Sequence, residues 1–238
     1  MEQLALAPMR RWAGAQPPSP VPAFDDLGLS YWLVLAAGAG LEVTIIALLA
    51  GPASRAAAAE LVGHRLPART LLDPRGGRPL AVPLIAIVTG GLVAVASIGG
   101  PVWFLAYPFV ALAVPALVID RGGPLRALGR GAAMAGRSGA RALWILLLGY
   151  LTWWIVRMIV GLGGGFALAA FVPGDPTTVA VVTTGMRVAV NTLAYAALAC
   201  LAAVLHLETR MRTEGLDIVL SRAGRRGPLS AELLAVTR

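Results

Sequence analysis

Four polar residues interrupt long apolar stretches, and their types allow ion pairing or ion movement within a membrane. Glu42 lies near the middle of one apolar segment, Arg157 lies near the end of another, and Arg187 and Asn191 lie four residues apart on one helix face. An ionisable group inside a bilayer costs about 2.5 to 3.5 kcal/mol on insertion scales, so these side chains need partners. Counted along the helix from the end of each apolar segment that we predict to lie outside the cell, Glu42 and Arg187 lie about 12 to 17 Å below the membrane surface. We therefore predict that Glu42 pairs with Arg187, either as a structural link between the first and last spans or along a transport route.

The sequence lacks the common signatures of enzymes and of metal sites. All 20 of its basic residues are arginine, so no Walker A lysine or Schiff-base lysine is present. The motifs HExxH, GxSxG and CxxC are absent, and Cys200 is the single cysteine. His64 and His206 are distant in sequence, and we expect His206 at the membrane edge as an interfacial side chain. We predict a protein that is not an enzyme and that has no cofactor, catalytic residue or metal site.

The composition is that of a membrane protein. The chain has 238 residues, of which 58% are hydrophobic and 13% charged, and its mean hydropathy is +0.76. Arginine without lysine, together with many alanines and glycines, is typical of a high-GC bacterial genome. The arginine clusters flank apolar segments and lack interleaved exposed aromatic residues, which argues against a nucleic-acid partner.

We predict an all-α, polytopic transmembrane bundle of five spans within residues 29–207. Before it lies a Pro-rich N-terminal tail (1–28), and after it a basic C-terminal tail (208–238). Gly51-Pro52 is expected to end or kink the first span, and prolines spaced by seven residues are expected to bend the third. Residues 161–171 form either a helical extension or a re-entrant piece. The predicted spans cover about 31–50, 80–98, 101–119, 142–162 and 179–206.

The arginines give the orientation. Sixteen of the 20 lie in three segments that this topology places on one side of the membrane, and neither turn on the other side contains one. The positive-inside rule makes that side the cytoplasm. We therefore predict a multi-pass protein of the bacterial cytoplasmic membrane, with an external N-terminus and a cytoplasmic C-terminus.

Two cytoplasmic segments form a candidate surface for anionic lipids or for a partner protein. After Pro124, a helix would place four arginines within an arc of roughly 60° and Leu125, Leu128, Ala132 and Ala135 opposite, with Met134 on the basic side. We expect this helix to lie at the membrane interface against anionic headgroups, or to bind a phosphate or partner protein. The arginines of the surface are Arg126, Arg130, Arg137, Arg141, Arg210 and Arg212.

The last span continues beyond the membrane as a helix. Glu208 and Arg212 are four residues apart, as are Arg210 and Glu214, which is the spacing of stabilising pairs on one helix face. Gly215 is a plausible end of this helix. The exit helix either stays solvated or docks beside the loop that contains Arg126.

Two runs resemble a bacterial family, the membrane domain associated with glycerophosphoryl diester phosphodiesterases. They are Val114 to Arg130, with its Asp-Arg-Gly-Gly-Pro-Leu, and Leu207 to Asp217, with its Glu-Thr-Arg-Met-Arg-Thr-Glu-Gly; Leu49 to Ala53 adds to the likeness. The resemblance covers about residues 35–222 and implies a multi-span membrane domain without assigned catalytic residues. Family members have six spans, whereas the span that would precede Tyr31 is missing here, and no phosphodiesterase barrel fits this chain.

These observations favour a non-enzymatic integral membrane protein that is a subunit or scaffold of a membrane assembly. Its expected partners are anionic lipid headgroups at the cytoplasmic face and other membrane proteins. One alternative is a permease-like component for a lipid or a small polar solute. A second alternative, an enzyme acting on glycerophosphodiesters or phospholipids, is implied only by the resemblance.

Overall fold

A computed structural model describes residues 29–73, 78–100, 103–137, 140–171, 176–227, 229 and 231–235. All regular structure within these ranges is helical, which confirms that the protein is all-α. The helices are α1 Leu29–Leu61, α2 Ala68–Leu72, α3 Ala81–Ile98, α4 Trp103–Ala111, α5 Ala113–Ile119, α6 Pro124–Arg137, α7 Arg141–Met158, α8 Gly164–Phe171, α9 Pro176–Glu214 and α10 Leu216–Gly224. A π-helical turn, Ile159–Gly163, joins α7 to α8, and a short 3₁₀ helix, Ala231–Leu234, follows α10.

Four helical stretches are long and apolar enough to cross a membrane. They are Trp32–Leu61, Ala81–Ile98, Arg141–Leu168 and Thr177–Glu214. Between 17% and 39% of the most apolar window of each is buried within the chain, so most of this apolar surface requires lipid or another protein as a neighbour. The structure therefore supports a multi-span membrane protein. The predicted N-terminal tail and most of the turn at 173–176 lie outside the described residues.

The first span does not end at Gly51-Pro52, because α1 continues through both residues to Leu61, and the alternative of a kink stays a prediction. A proline within a helix costs the hydrogen bond to the carbonyl four residues earlier. Ala50 and Ser54 on either side are almost fully buried, so packing holds this part of the helix in place.

The third predicted span is two short helices, α4 and α5, that meet at Leu112. Leu112 has φ −85° and ψ −1°, outside the regular helix. Pro115 supplies the cause, since its ring clashes with the carbonyl of Ala111 and cannot donate the next hydrogen bond. The bend expected from the prolines is therefore present, near the middle of the segment; Pro101, the first of the three, lies outside the described residues.

Glycines bring α1 and α3 into close contact. A Cβ atom at Gly40 would lie 2.8 Å from the carbonyl oxygen of Gly90, and one at Gly90 would lie 2.4 Å from that of Gly40. Small residues allow this approach, which is how transmembrane helices pack without a hydrophobic driving force. The main core surrounds this pair of helices and includes α4, α5, α6, α7 and the middle of α9.

Helix α6 packs into the bundle with a different face from the one predicted. Its buried residues are Ala127, Gly131, Met134 and Ala135, whereas Leu125 is 85% exposed. Gly131 lies directly on α5, because a Cβ atom there would be 2.8 Å from the backbone nitrogen of Ala113. The predicted arc of four arginines on one helix is also wrong, because α6 ends at Arg137 and Arg141 begins α7.

The segment after the last span is folded against the bundle and is not a loose tail. Gly215, with φ +64°, ends α9 and starts α10. Leu216, Leu220 and Leu234 then pack with Val62 and Ile119 in a second apolar cluster. The C-terminal helices thereby cover the end of the bundle at which most arginines lie, which we call the basic end.

Candidate functional site

The first charged cluster is an ion pair inside the bundle between α1 and α7. Arg157 Nη1 donates a hydrogen bond to Glu42 Oε1, and the two side chains are 12% and 15% exposed. Tyrosine rings surround the guanidinium, whose central carbon lies 5.5 Å from the ring centre of Tyr150 and 5.9 Å from that of Tyr195. Cation–π attraction adds to the ion pair in such a site.

The intramembrane pair leaves several polar atoms unsatisfied. Within the described residues, Arg157 Nε and Nη2 have no hydrogen-bond partner, nor do the buried hydroxyl groups of Tyr107 and Tyr150. These atoms lie in a cluster of aromatic rings that also includes Trp103, Phe104 and Trp154.

The predicted pair of Glu42 with Arg187 is not formed, because the two residues lie at different levels. The partner of Glu42, Arg157, contacts the ring of Tyr195, which is eight residues beyond Arg187 in α9. Eight helical residues correspond to about 12 Å along the axis. Helix α9 has 39 residues and exceeds a membrane thickness, so counting from its first residue placed Arg187 too deep.

The second charged cluster lies at the basic end and centres on Asp120, at the end of α5. Its carboxylate is 3% exposed and receives three nitrogen contacts: Arg130 Nε at 2.5 Å, Arg210 Nη1 at 2.9 Å and His206 Nε2 at 3.2 Å. An ionised carboxylate only accepts hydrogen bonds, so His206 donates through Nε2 in this contact. His206 is fully buried, which corrects its predicted place at the membrane interface.

Glu214 closes this cluster on its outer side. Arg130 Nη2 donates to both of its carboxylate oxygens, at 2.6 and 2.7 Å, and Arg210 Nε lies 3.0 Å from Oε2. Arg210 also donates from Nη1 to the backbone oxygen of Leu234, at 2.6 Å. The docking of the exit helix beside the α6 segment is therefore present, and two carboxylates balance two guanidinium groups.

Charge pairing shifts the pKa values of this basic-end network. Burial alone would raise the pKa of Asp120, but hydrogen bonding and charge from His206, with Arg210 and Arg130, outweigh it and hold the pKa below its usual range. Burial likewise opposes charge on Arg130, yet its two carboxylate partners raise its pKa. Asp120 and Arg130 are therefore both held in their ionised forms.

The six arginines predicted as one surface divide into two groups. Arg130 and Arg210 belong to the network, with side chains only 19% and 6% exposed. Arg126, Arg137, Arg141 and Arg212 are exposed. Arg141 and Arg212 share Glu208, at 3.2 and 2.9 Å. Only part of the predicted surface is free to bind an external group.

A pocket of about 300 Å³ lies beside the network at the start of α6. Arg121 and Arg126 border it, together with Asp120 and Arg130. The side chains of Arg121 and Arg126 form no ion pair with any described residue. Arg78 fixes the loop by donating to the backbone oxygens of Arg121, at 2.6 Å, and of Gly122.

Arg187 lies in a groove at the opposite end of the bundle, apart from both charged clusters. The groove has a volume of about 500 Å³. Asn191 is four residues away, and its side-chain oxygen is buried without a partner among the described residues. Residues 161–171 form one wall as a helical extension with a π-helical turn, which settles the alternative that the sequence left open. The lining residues are Gly161, Leu162, Gly165, Phe166, Ala180, Thr183, Thr184 and Arg187.

The grouping of Asp120, His206 and Glu214 was not predicted from the sequence. Asp120 is the acidic residue directly after the third apolar segment, and this position was the available signal. His206 and Glu214 lie 86 and 94 residues further along the chain. Among the described residues, no group of three or more His, Cys, Asp or Glu side chains is placed to hold a metal ion.

Among the described residues, the two charged clusters pair arginines with carboxylates. Their arrangement can fix helices relative to one another, and the free arginines can bind anionic groups. No family model, curated protein or solved structure matches the chain, so its similarity to the phosphodiesterase-associated membrane domain stays a prediction.

Proposed function

We propose that the protein is a non-enzymatic subunit or scaffold of a membrane assembly, with the basic end in the cytoplasm as a docking face. In this topology α4 and α5 together form the third of five spans, and the bundle lies in a bacterial cytoplasmic membrane with a cytoplasmic C-terminus. The resemblance to a membrane domain that accompanies phosphodiesterases fits a role beside other proteins.

The ion-pair network around Asp120 is the observation that carries this proposal. It joins the end of α5, helix α6, helix α9 and the C-terminal 3₁₀ helix through contacts of Arg130 and Arg210. A surface fixed in this way loses little conformational freedom on binding, which favours a stable complex. Paired charges also hold the free arginines of α6 in a defined position.

The chemistry of the docking face indicates an acidic partner segment. Arg121 and Arg126 border a preformed pocket, and Arg137 is exposed on the last turn of the same helix. A guanidinium group binds a carboxylate through two parallel hydrogen bonds, which gives both attraction and orientation. Anionic lipid headgroups around the pocket would strengthen the same contact.

A permease that uses Glu42 as its carrier has less support. The carboxylate of Glu42 is already held by Arg157, and both side chains are largely buried. An enzyme acting on glycerophosphodiesters rests only on the family resemblance.

The test is cross-linking in the native membrane, followed by purification of the full chain and identification of stoichiometric partners. We expect one defined partner whose cross-links fall on α6 and on the exit of α9. Arg126→Gln should reduce its recovery about tenfold or more, as expected for an interface arginine that contributes at least 1.4 kcal/mol. Arg222→Gln, on the exposed side of α10, is the matched control and should recover the partner in full.

A chain that purifies alone after cross-linking would contradict the proposal. Equal loss of the partner in both variants would show that net charge, and not the α6 surface, is responsible. Hydrolysis of a glycerophosphodiester by the purified chain would instead support the alternative that the protein is an enzyme.

A further inference from the structure

Arg187 lies at the end of the bundle opposite the network. It is exposed, and it forms no ion pair with any described residue. Its guanidinium lies over Gly161, where a Cβ atom would be 3.1 Å from Nε and 3.4 Å from Nη2. The glycine thus leaves room for the side chain to lie in the groove, against the π-helical turn. Such turns occur often at functional sites.

The level of Arg187 matches that of lipid phosphates. Leu207 directly follows the last predicted span, which ends at residue 206, and Arg187 lies 20 residues before Leu207. This corresponds to about 30 Å along the helix, which is the thickness of the hydrocarbon core. The guanidinium therefore lies where the hydrocarbon of the far leaflet meets its headgroups, which is the outer leaflet in the topology proposed above.

The groove combines an anion-binding floor with apolar walls. Thr183 Oγ1 is buried and has no hydrogen-bond partner among the described residues, so its hydroxyl is available as a donor. The hydroxyl of Thr184 is already used, since it donates to the backbone oxygen of Ala180 at 2.8 Å. Toward the membrane centre from Arg187, the side chains of Ile159 and Ile155 are 65% and 45% exposed and extend the apolar surface of the groove. A phosphate with an attached hydrocarbon chain satisfies both surfaces.

We propose that this groove binds one phospholipid of the far leaflet. The phosphate ester lies between the guanidinium of Arg187 and the hydroxyl of Thr183, and an acyl chain runs from there toward the membrane centre along Ile159 and Ile155. Gly165 faces this position, since a Cβ atom there would lie 3.8 Å from Thr183 Cγ2 and 3.9 Å from its Oγ1, so a larger side chain at 165 would occupy the phosphate position. This site is independent of the docking face, from which it is separated by the length of α9.

The test is native mass spectrometry of the full chain, purified in detergent and supplied with phosphatidylglycerol. We expect the wild type to retain one phosphatidylglycerol after activation that removes loosely attached lipids. Arg187→Gln should retain it at least tenfold less. Gly165→Leu should also lose the lipid, since it fills the groove and keeps the arginine. Arg222→Gln, an exposed arginine at the basic end, should retain it as the wild type does.

Competition in the wild type distinguishes a lipid from a soluble anion and needs no variant. Glycerol 3-phosphate and inorganic phosphate carry the same anionic group without chains, and we expect neither to displace the phosphatidylglycerol. Displacement by either would show a soluble-anion site and overturn the proposal. Retention that is equal in the wild type and in both groove variants would overturn it as well. So would a second copy or an acidic helix of another protein bound in place of the lipid.

Discussion

The two charged clusters of this bundle differ in how many partners each charge has. Inside the membrane bundle, Glu42 has the single ionic partner Arg157, and two nitrogens of that arginine have no hydrogen bond among the described residues. At the basic end, Asp120 receives three nitrogen contacts and its arginines are shared with Glu214. The first cluster is an isolated pair, whereas the second is a network.

This difference reflects what each cluster joins. The pair links α1 to α7 across an aromatic environment, where tyrosine rings take the place of further hydrogen bonds. The network links α5, α6 and α9, so that each added helix contributes another ionic contact. An isolated pair should therefore tolerate exchange of its two charges. A network should not, because each of its members contacts several charged partners.

The largest expected effect is the loss of the central carboxylate of the network. Asp120→Asn leaves Arg130, Arg210 and His206 facing a neutral amide in a buried site. Removal of one partner from a buried ion pair costs about 3 to 5 kcal/mol. We expect a loss of this size in unfolding free energy, measured in detergent by tryptophan fluorescence against denaturant. Asp217→Asn, on the exposed side of α10, should change stability little.

The pH dependence of this loss checks its electrostatic origin. The pKa of Asp120 is lowered in the folded protein, so its stabilisation is present above the unfolded value of about 3.9 and is lost as the pH falls through the folded value. The difference between wild type and Asp120→Asn should therefore be constant above about pH 5 and shrink below about pH 4. A difference that persists unchanged at low pH would mean that shape, and not charge, holds the site.

Charge reversal sharpens the comparison between pair and network. Glu42→Arg and Arg157→Glu each place two like charges together, and each should cost at least about 3 kcal/mol. The double variant restores the opposite charges, and we expect it to recover most of that loss. The measurement is a double-mutant cycle on unfolding free energy in detergent.

The same exchange at Asp120 and Arg210 should recover much less. It would leave the guanidinium of Arg130 beside a second cation, and a carboxylate beside Glu214. If both double variants recover equally, the distinction between pair and network is wrong.

The fold was predictable wherever a long apolar segment determined it. Apolar stretches of at least 18 residues gave four of the spans, because no other structure satisfies their backbone in a bilayer. Glycine and proline residues were less reliable indicators of where a helix ends. Gly51-Pro52 did not end α1, since burial on both sides of the proline holds the helix together, whereas Pro115 did interrupt the third segment at Leu112.

The candidate sites were less predictable because they depend on distant contacts. Glu42 and Arg157 could each be identified as intramembrane charges, but their pairing depends on the relative depth of three helices. The buried face of α6 was also mispredicted, because Met134 faces the core and Leu125 faces outward. Hydrophobicity along one helix does not show which face a neighbouring helix such as α5 will cover.

The smallest expected effect concerns the contact that brings Arg130 to Asp120. A Cβ atom at Gly131 would lie 2.8 Å from the backbone of both Leu112 and Ala113, so Gly131→Ala must push α6 away from α5. We expect a loss of about 1 to 3 kcal/mol from this overpacking. At Gly129 a Cβ meets nothing within 4 Å, and Gly129→Ala should instead stabilise the helix by up to about 1 kcal/mol.

The displacement of α6 gives Gly131→Ala a second, more specific consequence. If the network depends on the close approach of α6 to α5, Asp120→Asn should cost less in the Gly131→Ala background than in the wild type. Glu42→Gln should cost the same in both backgrounds, because α1 and α7 hold that pair without α6. Equal coupling of Gly131 to both clusters would show that the bundle responds as one unit, and that the network is not an independent feature of the basic end.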